Sequence, residues 1–168
     1  LSMIDWAIEQ NEHPVAVRVP CGVVISDGKE VKNDWSDLNK YEITKSGSKI
    51  AVIALGAFYQ LGEKAAELIK EKTGTAPTLI NPHYITGIDK DMLESLKKNH
   101  DVVITLEDGV LEGGFGEKIA RFYGDSDIKT LCFGLDKKFY DRYDVNELMR
   151  EAHLTPEQIA EDATALLK

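Results

Sequence analysis

The stretch KIAVIAL at residues 49–55 is apolar at almost every position. A strand with one solvated face alternates apolar and polar residues, whereas an uninterrupted apolar run is typical of a strand covered on both faces. Similar runs follow at residues 76–80, 101–106 (DVVITL) and 128–133. Helical patterns separate these runs. The alternation predicts a three-layer α/β/α fold, in which a mainly parallel sheet lies between two layers of helices.

The segments between the apolar runs carry helix start and stop signals. After the first run, apolar residues recur along one helical face as far as Gly74, a residue type that commonly ends helices. Asp89, Asp144 and Thr155 are predicted N-caps, because each places a side-chain oxygen just ahead of a helical pattern. Residues 114–123 predict one further helix, and residues 41–44 predict an edge strand ahead of the first apolar run.

The first forty residues follow a different pattern. Residues 1–12 predict an amphipathic helix, and residues 15–19 (VAVRV) predict a short buried strand that ends at Pro20. The polar residues 21–40 predict a linker. A helix and a strand ahead of a linker predict the end of another domain. The first residue, a leucine in place of a methionine, predicts that the chain is a piece of a longer protein.

Composition narrows the classes of function. The 168 residues include 20 basic and 29 acidic side chains, for a net charge of −9. This charge argues against a nucleic-acid partner or an anionic membrane, because both are bound through an excess of Lys and Arg. The two cysteines form no cluster with histidine at metal-ligand spacing, and no apolar run approaches the length of a membrane span. We therefore expect a cytoplasmic protein without structural zinc.

The glycine-rich stretch at residues 107–116 (EDGVLEGGFG) is the most distinctive loop. Glycines between a strand and a helix can aim N–H groups at a phosphate, but the three carboxylates of this stretch would repel one, which favours a tight turn. Acidic residues at a strand end could also hold a metal ion, as in a receiver domain. Asn81 and Gly134 close the neighbouring strands instead of a further acidic residue, which argues against that alternative.

Three residues are candidate substrate ligands. His83 follows a strand and could act as an acid or base, although a solvated loop histidine is the simpler interpretation. Cys21 is either a nucleophile or a structural thiol. Arg18, inside an apolar strand pattern, predicts either a buried ion pair or recognition of an anion. The remaining histidines, His13, His100 and His153, are expected at the surface. These residues form no catalytic set, and we predict no catalytic, cofactor-binding or metal-binding residue.

Three segments carry a family resemblance. Residues 14–22 (PVAVRVPCG) resemble P-x-A-x-R-x-P-R-G, residues 81–89 (NPHYITGID) resemble D-x-R-F-x-K-P-L-D, and residues 105–116 (TLEDGVLEGGFG) resemble T-x-E-E-x-x-x-x-G-G-x-G. In this order the motifs are similar to the C-terminal part of the 1-deoxy-D-xylulose-5-phosphate synthases, which are thiamine diphosphate enzymes related to transketolase. The resemblance covers essentially the whole chain.

The resemblance implies a domain organisation. Residues 1–22 would be the tail of a pyrimidine-binding domain, residues 23–40 a linker, and residues 41–168 a transketolase C-terminal-like domain. The last would contain a five-stranded mixed sheet whose first strand is antiparallel. The intact enzyme would be a homodimer in isoprenoid biosynthesis that condenses pyruvate with glyceraldehyde 3-phosphate. Its thiamine diphosphate and Mg²⁺ would be held by the rest of the polypeptide, so this piece would be structural and dimer-forming and would be inactive alone.

Departures from the family pattern leave alternatives open. The family's arginine in P-R-G, which resembles the one that grips the acceptor phosphate in transketolase, is Cys21 here, and a thiol cannot make the bidentate contact of a guanidinium. Arg18 is the nearest substitute, but residues three apart on a strand face opposite sides. The Arg and Lys of the second motif are His83 and Thr86. A transketolase, a 2-oxoacid dehydrogenase beta chain, a stand-alone interaction subunit and a flavodoxin-like or receiver-type domain remain alternatives.

Overall fold

The computed structural model describes residues 2–19 and 32–167. The chain divides into two compact units, the first formed by residues 1–38 and the second by residues 39–168. In the first unit, helix α1 spans Ser2–Glu9. The second unit carries the sheet. The division of the chain into a pyrimidine-domain tail, a linker and a third domain stays a prediction.

The second unit alternates strands and helices as the apolar runs predict. Five strands form one sheet in the order β1-β3-β2-β4-β5; β1 is antiparallel to β3, and the remaining neighbours are parallel. This confirms the mainly parallel, five-stranded mixed sheet. In chain order the elements are β1 (Glu42–Lys45), β2 (Lys49–Ala54), a short 3-10 turn (Gly56–Phe58), α2 (Tyr59–Thr73), β3 (Thr78–Asn81), α3 (Lys90–Leu96), β4 (His100–Val110), α4 (Phe115–Tyr123), β5 (Lys129–Leu135), α5 (Val145–Glu151) and α6 (Pro156–Ala165).

Both faces of the sheet are buried, which explains why the strands are apolar without alternation. Successive side chains of β2 enter different cores: Val52 packs with residues of α2 and α6, and Ile53 packs with residues of α3 and α4. Both side chains are fully buried. Helices therefore cover the two faces, and the three-layer arrangement is confirmed.

The predicted caps are present. Each cap side chain accepts a hydrogen bond from the backbone N–H three residues on: Asp89 from Met92, Asp144 from Glu147 and Thr155 from Gln158. Helix α2 ends at Gly74, which has a φ of 71°. Only glycine adopts this left-handed conformation without steric cost, so the position of the glycine determines where the helix ends.

The predicted strand at residues 15–19 is wrong. These residues have no regular secondary structure, and Val19 is 63% exposed. A strand needs a neighbour for its backbone N–H and C=O groups, and the described part of the first unit contains no second strand. The β propensity of valine cannot replace that neighbour. Helix α1 is present but ends at Glu9, because the Gln10 side-chain oxygen accepts the N–H groups of Glu12 and His13 and turns the chain.

His100 is buried, so the prediction that it lies at the surface is wrong. Its side chain is at the start of β4, where Nδ1 lies 3.0 Å from the Leu96 carbonyl and Nε2 lies 2.8 Å from the Thr78 hydroxyl. A carbonyl oxygen only accepts, so Nδ1 carries the hydrogen and Nε2 accepts from Thr78. The Thr78 oxygen in turn accepts the Gly47 N–H. Burial lowers the pKa of His100 below its ordinary value of 6.5.

This neutral histidine makes stability depend on pH. Below pH 6.5 the unfolded chain binds a proton at His100 that the folded chain resists, so the unfolding free energy falls as pH decreases from 6.5 towards the lowered pKa. We expect a contribution of at most about 1.4 kcal/mol per pH unit, the limit for one proton. Urea unfolding of His100→Phe is expected to lose this slope, whereas His13→Gln retains it. An unchanged slope in His100→Phe contradicts the assignment.

Candidate functional site

The parallel strands β2 to β5 end at one edge of the sheet, the edge where open α/β sheets bind ligands. The 3-10 turn Gly56–Phe58 follows β2, and loops follow the other three ends: residues 82–88 after β3, residues 111–114 after β4, and residues 136–144 after β5. The loop after β3 carries His83. Strand β4 extends beyond the predicted end at Leu106, and its pairing with β5 is irregular between Leu106 and Val110.

Glu107 lies in this irregular part of β4 and is only 4% exposed. Its Oε2 accepts the N–H of Phe115 at 2.8 Å, and its Oε1 accepts the N–H of Gly116 at 2.9 Å. These are the first two residues of α4, where N–H groups have no partner within the helix. The carboxylate therefore caps α4 from another element, and the positive end of the helix dipole stabilises its charge.

Two glycines allow the helix to approach the carboxylate. A Cβ atom on Gly114 would lie 2.5 Å from Oε2 of Glu107, and one on Gly116 would lie 2.6 Å from the buried hydroxyl of Thr105. Neither position can hold a methyl group without displacing the buried oxygen atoms. The spacing of Thr105, Glu107 and the two glycines in the third motif is therefore explained by the packing of α4 on the sheet.

This arrangement decides between the interpretations of the glycine-rich stretch. The two N–H groups that an incoming phosphate would use already donate to Glu107. The Gly113 N–H donates to Glu117, which closes the turn on its exposed side. The tight-turn interpretation is confirmed. In residues 2–19 and 32–167 there is no group of three or more His, Cys, Asp or Glu side chains suited to a metal ion.

The last residue of the second motif, Asp89, also has a structural role that its sequence position only partly indicates. Besides capping α3, its carboxylate accepts the backbone N–H of Tyr41 at 3.1 Å and lies 3.5 Å from the Lys40 ammonium. Asp89 is 6% exposed. The contact with Tyr41 attaches the chain entering β1 to the start of α3, a link between residues 48 positions apart that no local pattern indicates.

His83 is held in a strained turn beside β1. Its φ is 56°, a left-handed conformation that few residues other than glycine adopt. Its backbone N–H donates to the Asn81 side chain, and its Nε2 lies 3.0 Å from the Glu42 carboxylate. The side chain is 19% exposed, so the histidine is half-buried rather than fully solvated. Lys118 of α4 donates to the Ile85 carbonyl and so connects the same loop to α4.

The other two candidate ligands lie outside the second unit. Arg18 is exposed in the irregular segment after α1, so the buried strand position expected for it is wrong. Cys21 lies outside the described residues. Whether Arg18, Cys21 and His83 bind substrate stays a prediction. No helix in the described ranges is both long and apolar enough to cross a membrane.

These features define a three-layer α/β domain in which the buried carboxylates of two loops accept backbone N–H groups of the domain itself. The sequence model of the transketolase C-terminal domain matches residues 39–159. The chain therefore belongs to the transketolase C-terminal domain family, which confirms the resemblance of the three motifs.

Relatives and solved structures agree with this assignment. The chain is 35% identical to the 1-deoxy-D-xylulose-5-phosphate synthase of Clostridium botulinum strain Alaska E43, over 95% of this chain and 26% of the relative. It is 34% identical to the synthase of Clostridium beijerinckii, over 94% of this chain and 25% of the relative. The chain thus spans about a quarter of these relatives. A split-gene transketolase, described as an inactive beta4 tetramer, has the same fold with a TM-score of 0.70 at 19% identity, over 89% of this chain and 48% of that one.

Replacement of Glu107 measures how strongly the capping carboxylate holds the domain together. Glu107→Ala leaves two buried N–H groups unpaired, and we expect the unfolding free energy to fall by about 2–4 kcal/mol. Glu107→Gln replaces one of the two accepting oxygens with an N–H₂ group. Because that group would face a backbone N–H of α4, two donors would oppose each other, and this variant is also expected to be destabilising. The matched control is Glu112→Gln, which changes an exposed residue of the same turn and should cost less than about 0.5 kcal/mol. Equal urea midpoints for the two Gln variants would contradict the role of Glu107.

Proposed function

We propose that this chain is the C-terminal domain of a thiamine diphosphate-dependent transferase of the 1-deoxy-D-xylulose-5-phosphate synthase type. The observation that carries this proposal is the match along almost the entire chain, at 35% identity, to about a quarter of a synthase. In the intact enzyme, pyruvate condenses with glyceraldehyde 3-phosphate in the cytoplasm. The partners of this domain are the pyrimidine- and diphosphate-binding domains of its own polypeptide, in an enzyme that acts as a homodimer.

The cofactor belongs to those other domains. Thiamine diphosphate would supply an electron sink to the intact enzyme, and Mg²⁺ would accompany its diphosphate. The described residues do not fit these groups: the carboxylates of Glu107 and Asp89 are engaged by backbone N–H groups of their own domain. The proposed role of this chain is therefore to support the catalytic domains, and the chain is inactive alone.

The first two motifs differ from the family pattern at two basic positions, and these differences support an alternative acceptor substrate. Cys21 and Thr86 stand where the family pattern has basic residues, so a transketolase-type reaction or the beta chain of a 2-oxoacid dehydrogenase remains the alternative. A stand-alone interaction subunit is the alternative without catalysis. The solved structure of similar fold is 19% identical and bears on the fold alone.

A chimera tests the main proposal. This chain replaces the matched quarter of the Clostridium botulinum synthase, and product formation from pyruvate and glyceraldehyde 3-phosphate is measured with thiamine diphosphate and Mg²⁺. We expect the chimera to be active and the separate chain to be inactive, with no heat of cofactor binding in calorimetry. Folding of the chimera is checked by its cooperative thermal transition. A folded chimera that turns over transketolase substrates but not these two supports the alternative.

The same chimera tests Cys21 as the altered acceptor ligand. In the family pattern an arginine occupies this position, and a guanidinium makes a charge-assisted, bidentate contact with phosphate. Cys21→Arg is expected to lower the KM for glyceraldehyde 3-phosphate about tenfold, because hydrogen bonds to charged groups contribute about 1.5–3 kcal/mol. The KM for pyruvate should not change. Cys21→Ser serves as the control, and equal KM values for the arginine and serine variants exclude this position from acceptor binding.

A further inference from the structure

Three helices that begin at the ligand-binding edge of the sheet are capped by carboxylates of this domain. The start of a helix can hold an anion, because its first N–H groups have no partners within the helix. Asp89 caps α3, Glu107 caps α4 and Asp144 caps α5, so these N–H groups already have negatively charged acceptors. An anionic ligand beside these helices therefore requires a cationic side chain.

Several basic side chains of the loops at this edge are paired with acidic ones. In the loop after β5, Lys137 and Lys138 each contact a carboxylate. In the loop after β3, Nε2 of His83 lies 3.0 Å from the Glu42 carboxylate. A carboxylate at this distance opposes the attraction that the basic group would exert on an incoming anion.

Lys118 is held at the same edge by carbonyl groups instead of a carboxylate. It lies in the first turn of α4, and its Nζ lies 2.9 Å from the Ile85 carbonyl oxygen and 3.4 Å from the Thr86 carbonyl oxygen. Within residues 2–19 and 32–167, no carboxylate forms an ion pair with this ammonium. An ammonium has three N–H donors, so the exposed side chain keeps one donor and its full charge for a ligand.

The loop that holds Lys118 is itself fixed. The Thr86 hydroxyl donates to the Asn39 side chain at 2.9 Å. Gly87 packs against the same side chain, since a Cβ atom at Gly87 would lie 2.8 Å from its Cγ. A lysine whose Nζ is bound to a fixed loop loses less conformational freedom on binding a ligand than a freely rotating one.

We propose that Lys118 binds the phosphate of the acceptor substrate. Thr86 stands where the family pattern has a lysine, and Lys118 brings an ammonium from α4 to the carbonyl of that same residue. The cation that the second motif lacks is thus supplied by another element of the domain. This assignment rests on the proposed function, which identifies the anion as the phosphate of glyceraldehyde 3-phosphate. Lysine binds phosphate as a point charge, so one well-placed ammonium suffices for a contact.

Binding of inorganic phosphate to the 168-residue chain tests this site without catalysis. In nitrogen–proton correlation NMR, phosphate is expected to shift the backbone signals of residues 82–88 in a saturable way, and Lys118→Gln should abolish the shifts. The matched control is Arg142→Gln, which removes a cation from the loop after β5. That strand lies three positions from β3 in the sheet, roughly 14 Å away, so the control should leave the shifts unchanged.

Three results of the titration would overturn the assignment. The signals of residues 82–88 could stay in place in the wild-type chain, or they could still shift in Lys118→Gln. The two Gln variants could also lose the shifts equally, which would show a general effect of charge instead of a contact at Lys118.

The chimera described under Proposed function tests the contact during turnover. Lys118→Gln is expected to raise the KM for glyceraldehyde 3-phosphate about tenfold, because one charge-assisted hydrogen bond is lost. The KM for pyruvate and the kcat/KM for unphosphorylated glyceraldehyde should not change. The double variant Lys118→Gln/Thr86→Lys returns an ammonium to the loop and should recover most of the lost affinity.

This recovery separates phosphate binding from a structural connection between α4 and the loop, which a lysine at position 86 does not restore. A double variant with the same KM as Lys118→Gln contradicts the assignment. A folded chimera that is inactive with both substrates contradicts the proposed function instead, and the phosphate titration then decides whether Lys118 binds the anion.

Discussion

The buried carboxylate of Glu107 is the interaction on which this domain depends. It fastens the first turn of α4 to the end of β4, and the absence of side chains at Gly114 and Gly116 permits the approach. Because the charge is removed from water, it must be compensated, and the two N–H groups and the helix dipole provide that compensation. One face of the sheet is then covered by α4, and the irregular end of β4 is held beside β5.

The capping of α4 by Glu107 changes the functional interpretation of the third motif, residues 105–116. A strand end rich in acidic residues and glycine resembles a phosphate or metal site when only the residue types are considered. In the folded domain the acidic side chain is the ligand, and the helix N-terminus is the site that it fills. Asp89 does the same for α3 while also binding the chain before β1. The motifs thus identify the family through the requirements of its fold.

The predictable features are those determined by nearby residues. Apolar runs around Val52 predict buried parallel strands, and Thr155 predicts a cap from oxygen atoms within one turn of chain. The wrong predictions concern residues whose structure depends on partners that are distant in the sequence. Residues 15–19 have strand propensity but no neighbouring strand in the described part of their unit. His100 can be buried because Thr78, which is 22 residues away, donates to its ring and in turn accepts the Gly47 N–H. The sequence singles out Glu107 as an acidic residue at a strand end. Spacing alone does not predict that its carboxylate accepts the N–H groups eight and nine residues further along the chain.

The two edges of the sheet differ in how they are protected. Edge strands tend to pair with other chains unless they are short, irregular or covered. Strand β1 is four residues long, is irregular between Ile43 and Lys45, and ends in an ion pair with α2, so it offers little backbone to a partner. Strand β5 is seven residues long and parallel, and it has an apolar cleft at its side. The carboxylates around that cleft discourage pairing with most of this acidic surface while still admitting a basic segment. The same charges therefore limit which partners could pair with this edge, because an acidic partner would be repelled.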